Sequence, residues 1–215
     1  HVKDDRILNS IELTVGTTGS NSYAENTQDF IHGLRGFDKF NGWKDQIPNE
    51  ITVDLSFVQK RRRDFLTYGS GIFRMDGLTE WGARLGTFRT DAHLGASVRF
   101  GYNLPADFSD ARLSTTAYSH RYFGADSAYD GNWSAYFTAG AGGTGVAHDA
   151  TLDGPLFHDF HTGNTREPFF AEIYGGFAVR YRAVEVSYIH TLRTKEYEEQ
   201  DGAANFGSLA MRVRF

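Results

Sequence analysis

Gln28 and His32 stand four residues apart. On a helix that spacing places both on one face, one turn from each other. A neutral imidazole accepts a proton near neutral pH, so His32 is a candidate general base. Helix signals surround the pair. Ser22-Tyr-Ala-Glu25 has the hydroxyl-then-carboxylate spacing of a capping box, and Gly36 can take the left-handed backbone that ends a helix near Arg35. Phe30, Ile31 and Leu34 are left to pack elsewhere. A lone loop histidine is structural more often than catalytic, so both readings stay open for His32 at this point.

The other chemical groupings are weaker. His158-Asp159-Phe-His161 has two histidines three apart but no third ligand at a metal-site spacing, and it reads as a solvated loop. There is no Gly-x-Ser-x-Gly elbow and no His-x-Ser pair, which argues against a serine esterase. Gly140 to Gly145 continues an alternating stretch and reads as close backbone approach rather than a phosphate loop. Lys60-Arg61-Arg62-Arg63 reads as a solvated turn, with phosphate binding as the alternative.

The elements that must position these residues are strands. In the tail, Leu209, Met211, Val213 and Phe215 share one face, and Ser208, Ala210, Arg212 and Arg214 share the other. A period of two with one apolar face marks a strand that is wet on one side. The same pattern covers Ile11 to Val15, Ile51 to Phe57, Phe73 to Leu85, Leu94 to Tyr102, Trp133 to Ala139, Phe169 to Tyr181 and Val184 to Tyr188. About eight strands result, in an all-β antiparallel barrel with a short helix in one loop. The chain has 215 residues, which a single domain spanning 1–215 can use in full. No apolar run is long enough for a membrane-spanning helix. The absence of cysteine removes disulfides and thiolate metal sites, and a net charge of -5 leaves no nucleic-acid footprint. The first residues have no apolar core, so any signal peptide would already be removed.

Alternation alone fits two architectures. A soluble barrel of the lipocalin kind turns its apolar face inward; a membrane barrel turns it to lipid. The terminal Phe215 favours the second, because a last strand ending in an aromatic resembles the assembly signal of bacterial outer-membrane barrels. That resemblance implies the barrel-assembly machinery as a partner. The polar faces carry both signs of charge, so a lumen filled by ion pairs is expected rather than an open pore. The connection from Thr17 to Pro48 is then extracellular, and Lys60 to Arg63 periplasmic.

A longer match adds a family. Gln28-Asp-Phe-Ile-His32-Gly-Leu-Arg-Gly36-Phe-Asp38, followed by Gly42-Trp43-Lys-Asp45-Gln46-Ile47-Pro-Asn49-Glu50, resembles the outer-membrane lipid A 3′-O-deacylases. Ala147-His148-Asp149, Leu152-Asp153-Gly154, Arg193-Thr194, Glu196-Tyr197 and Phe206-Gly207-Ser208-Leu209 resemble later stretches of the same family. The resemblance implies a bacterial outer-membrane location, lipopolysaccharide as the partner and a twelve-stranded barrel, of which this chain would be either a portion or a shortened form with half a site. It further implies a calcium-dependent esterase that removes an acyl chain from lipid A. His32 would activate water, oriented by Gln28, and Asp38 would stand at the family's acidic position beside calcium. Trp43, Gln46 and Asn49 would join the helix to the next strand. The family's earlier strands, with an Asn-Asp pair and a Thr, have no counterpart before Ile7; Asp4-Asp5 lies too close to the first strand. A non-enzymatic structural or interaction role is the competing expectation.

Overall fold

The computed structural model describes residues 2–3, 6–40, 42–69, 72–108 and 132–213. Nine antiparallel strands pair in sequence order into one sheet. They are β1 (Val2–Lys3), β2 (Ile7–Thr17), β3 (Ile51–Tyr68), β4 (Phe73–Gly86), β5 (Arg89–Tyr102), β6 (Trp133–Asp149), β7 (Phe169–Tyr181), β8 (Val184–Arg193) and β9 (Ala204–Val213). A single helix, α1 (Ala24–Arg35), sits between β2 and β3 among the described residues. The eight strands after β1 are each 10 residues or longer, matching the expected number. Within the described residues β9 pairs only with β8, so this chain forms an open run of barrel strands. Arg214 and Phe215, the proposed assembly signal, lie outside the described residues, as do Asp4 and Asp5.

The two faces decide between the architectures. Leu209 and Met211 are 72% and 70% exposed, and Val98, Phe177 and Val213 are exposed too. The opposite face buries Arg99, Arg180, Glu185 and Arg212. Bulky apolar groups outside and ions inside would be unstable in water; hydrocarbon around the sheet makes the arrangement favourable. The soluble alternative fails on this point.

The inner face is a chain of ion pairs. The Arg99 guanidinium donates to both Asp76 oxygens at 2.9 and 2.6 Å and to Asp107 at 2.8 Å. Arg180 donates to the other Asp107 oxygen at 3.3 Å and to Glu185 at 2.8 Å. Arg212 reaches the second Glu185 oxygen at 2.8 Å. The network therefore links β4, β5, β7, β8 and β9 through Asp107, which belongs to no strand. The segment carrying Asp107 follows β5 and folds against the inner face. Leu104 packs with Tyr136 and Ala178, and Phe108 packs with Leu8 and Leu78. The expectation of an ion-paired interior is met.

One reading is corrected. Lys60 to Arg63 form no turn; they continue β3, which is 18 residues long. Lys60 faces inward to Glu80 at 3.1 Å, and Arg62 lies 3.8 Å from Asp76. Carboxylates on β4 let these cations be buried, which the local run of charge conceals. Arg61 and Arg63 face outward. A tilted strand crosses hydrocarbon in about 9–11 residues, so both fall near the far interface, where cations reach water.

Candidate active site

The β2–β3 connection is built to hold a helix over the end of the sheet. At its neck, the Thr18 amide donates to the Glu50 carbonyl at 2.9 Å and the Glu50 amide donates to the Thr18 hydroxyl at 3.0 Å. Asn49 Oδ1 accepts from the Asn21 amide at 2.9 Å, and Asn49 Nδ2 donates to Ser20 at 3.1 Å. Gly19 has φ 66° against this side chain, a conformation and a closeness that exclude a Cβ. The expected joining role is met for Asn49. Replacing Asn49 with alanine should loosen the neck by about 1 kcal/mol per lost bond. Amide exchange across residues 18–49 should then quicken while the heat-dependent gel mobility of the barrel stays unchanged; wild-type exchange would refute this role.

The helix begins differently from the expectation and ends as expected. Ser22 donates to the Gly19 carbonyl and closes a preceding 3₁₀ turn, so Tyr23, at φ 55°, becomes the N-cap and no side-chain capping box forms. Gly36, at φ 67°, caps the other end. Lys39 binds Asp29 at 2.7 Å, and that hydrogen bond holds the Lys39 pKa above its usual range. This contact folds the chain after α1 back along the helix.

That return brings Asp38 to His32. His32 Nδ1 lies 2.7 Å from the Asp38 backbone carbonyl. A carbonyl only accepts, so the Nδ1 proton is donated to it and Nε2 keeps its lone pair. Phe40 and Phe37 flank the imidazole, with ring centroids 5.0 and 5.8 Å away. Gln28 is one turn earlier on α1, partly buried like His32. The three residues singled out in the sequence thus lie in one loop. Asp38 meets His32 through its backbone, and its side chain is free to face solvent.

A calcium ion needs six to eight oxygen ligands. Among the described residues no three His, Asp or Glu side chains gather as a metal site. Asp38 alone does not make one.

His158, read from the sequence as part of a solvated loop, is instead held by a buried carboxylate. Glu50 is buried and accepts from the Phe157 amide at 3.1 Å, and the same oxygen lies 3.0 Å from His158 Nδ1. The two residues are 108 positions apart, which no local pattern reveals. The only hint was the place of Glu50, one residue before β3 and in step with the inward alternation of Thr52 and Asp54. His161, by contrast, is exposed as expected, 3.9 Å from Asp159. His158 meets Glu50 at the base of the β2–β3 connection, and His32 lies on α1 within that connection.

The comparisons bear on the barrel and its family. The solved structure of LpxR from Salmonella typhimurium matches with a TM-score of 0.81, covering 100% of this chain and 69% of that one. Identity is 18%, so this likeness concerns the barrel fold alone. No curated protein matches by sequence. A family model described as outer membrane protein LpxR matches residues 1–215. With its apolar face outward, its ions inward and every residue inside that match, this chain belongs to the LpxR family of outer membrane proteins.

Proposed function

We propose that this protein is an esterase of the outer membrane that removes an acyl chain from lipid A, with His32 as general base. The observation that carries the reading is the 2.7 Å contact from Nδ1 to the Asp38 carbonyl, which leaves Nε2 as the proton acceptor. Nε2 takes a proton from water as its oxygen attacks the ester carbonyl. The tetrahedral intermediate collapses with cleavage of the ester bond, and the imidazolium returns its proton to the departing sugar alkoxide. The products are a free fatty acid and a lipid A hydroxyl. Gln28, one turn away, orients the imidazole or its water. Calcium would supply an electrophile for the carbonyl, with Asp38 as one ligand, but the described residues do not complete its site and no step is assigned to it.

The test is mass spectrometry of lipid A from cells with and without the gene. Loss of one acyl chain only when the protein is present is expected. Unchanged lipid A beside folded protein would refute the enzyme. A specific observation favours the second reading in that case: Phe30, Leu34, Phe37 and Phe40 are all exposed in the same loop, as an interaction surface would require.

A further inference from the structure

The lipid-facing wall is not uniform. One transverse row of register partners crosses β2 to β7 as Ile11, Phe57, Ala83, Ala92, Gly145 and Phe169. Its central members, Ala83, Ala92 and Gly145, are the small ones, and all three are exposed. The neighbouring rows are bulky. Leu55 and Leu85 are partners on the side of the α1 loop, and Trp81 and Leu94 are partners toward the middle of the sheet. Phe57 packs against Trp81, with ring centroids 5.3 Å apart, and borders one end. The Phe169 ring leans over Gly143 at the other. Over the small row lies a groove of about 690 Å³, lined by Ile11, Phe57, Ala83, Leu85, Ala92 and Gly145 and reaching Pro168 just before β7.

We propose that this groove seats one acyl chain of lipopolysaccharide. The inference rests on the lipid A reading above and deepens it, adding a binding site to the chemistry of His32. The occupant follows from position. The groove is continuous with the outward apolar face, the established contact of a family member with the outer membrane. It lies close to the strand ends that carry the α1 loop: β4 ends at Gly86 and β5 starts at Arg89. With that loop outside the cell, the groove is at the depth of the outer leaflet, which is built of lipopolysaccharide. Its Ile11–Phe57 end lies on β2 and β3, the strands that the His32 loop connects.

Shape supports the same occupant. From Phe57 to Phe169 the row crosses four interstrand steps, about 19 Å, comparable with an extended acyl chain. Strands of a membrane barrel tilt by about 45°, so a row perpendicular to them is tilted as well, and a chain descending from the leaflet can follow it. Hydrocarbon surrounds the whole wall, so burial adds no hydrophobic gain. The preference comes from dispersion contacts with a floor and two sides in place of one flat face.

The chain has no cysteine, so single cysteines can carry a benzophenone each. Gly145→Cys and Ala92→Cys would place the probe in the groove. At Gly145 an added Cβ meets no atom within 4 Å, so the change leaves the strand intact. Leu192→Cys and Ile173→Cys place it on lipid-facing positions elsewhere. After irradiation of cells, mass spectrometry should find lipopolysaccharide adducts about threefold or more above the two controls, the scale of one packing preference within a bilayer. Adding Ala83→Leu to fill the groove should bring the Gly145→Cys yield down to the control level, with folding checked by gel mobility. Equal yields at all four positions would overturn the proposal, and so would adducts dominated by phospholipid. Cross-linking needs no turnover. An inactive protein with strong groove adducts therefore sinks only the esterase reading, and an active one with uniform adducts sinks only the groove.

Discussion

Replacing His32 with alanine is expected to lower lipid A deacylation by roughly 10²–10⁴-fold, the usual weight of a positioned general base. The loss should fall on kcat rather than on KM, because the imidazole acts on water in the transition state and not on the acyl chain. The strands should be untouched: His32 is held by a loop carbonyl and two phenyl rings, all within the β2–β3 connection. Heat-dependent gel mobility would confirm the fold, and lipid A mass spectrometry would read the activity. His158→Ala is the matching control. Its imidazole also has Nδ1 engaged, but by the Glu50 carboxylate at 3.0 Å and outside the Gln28–His32–Asp38 group. Full activity in His32→Ala together with loss in His158→Ala would move the base to the Glu50–His158 pair.

The second large effect concerns stability. Asp107 gives one oxygen to Arg99 and the other to Arg180, and its side chain is completely buried. Among the described residues, Asp107→Ala would leave Asp76 and Glu185 to face the guanidiniums of Arg99, Arg180 and Arg212. Breaking a buried pair by removing one partner costs about 3–5 kcal/mol, far more than the pair itself contributes, because the abandoned charge stays out of water. A fall in the urea midpoint of the detergent-folded barrel would report this. Asp64→Ala is a useful comparison: Asp64 is half-exposed, and Arg62, its 2.8 Å partner, keeps Asp76 at 3.8 Å, so a smaller loss of about 1 kcal/mol is expected. Equal midpoints for the two variants would show that Asp107 is not the centre of the network.

The stability argument shows where sequence reasoning loses sight of the molecule. Nothing around Leu104-Pro105-Ala106-Asp107-Phe108 signals a buried carboxylate, because the residues that need it, Arg99 and Arg180, are on different strands. Lys60 to Arg63 were misread for the same reason. A cluster of cations looks like a solvated turn until Glu80 and Asp76 arrive from β4. The capping box failed because Ser22 is drawn into the preceding 3₁₀ turn, which leaves Tyr23 at the N-cap position. At the candidate site the sequence placed Gln28, His32 and Gly36 on one helix and its end, but it could not show Asp38 presenting its backbone to Nδ1.

By itself, the sequence determined which residues share a strand face, and it marked where the helix stops. Both are local properties: side chains alternate along any extended backbone, and a glycine at Gly36 can take φ 67° at little cost. Which face meets lipid came from the exposures in the fold. Only the tertiary structure decided which charge meets which. The Asp107 hub, the Glu50–His158 pair and the groove over Ala83, Ala92 and Gly145 all depend on strand register and on segments far apart in the chain. Register is set by the pairing of whole strands, so it assigns neighbours that no local pattern encodes.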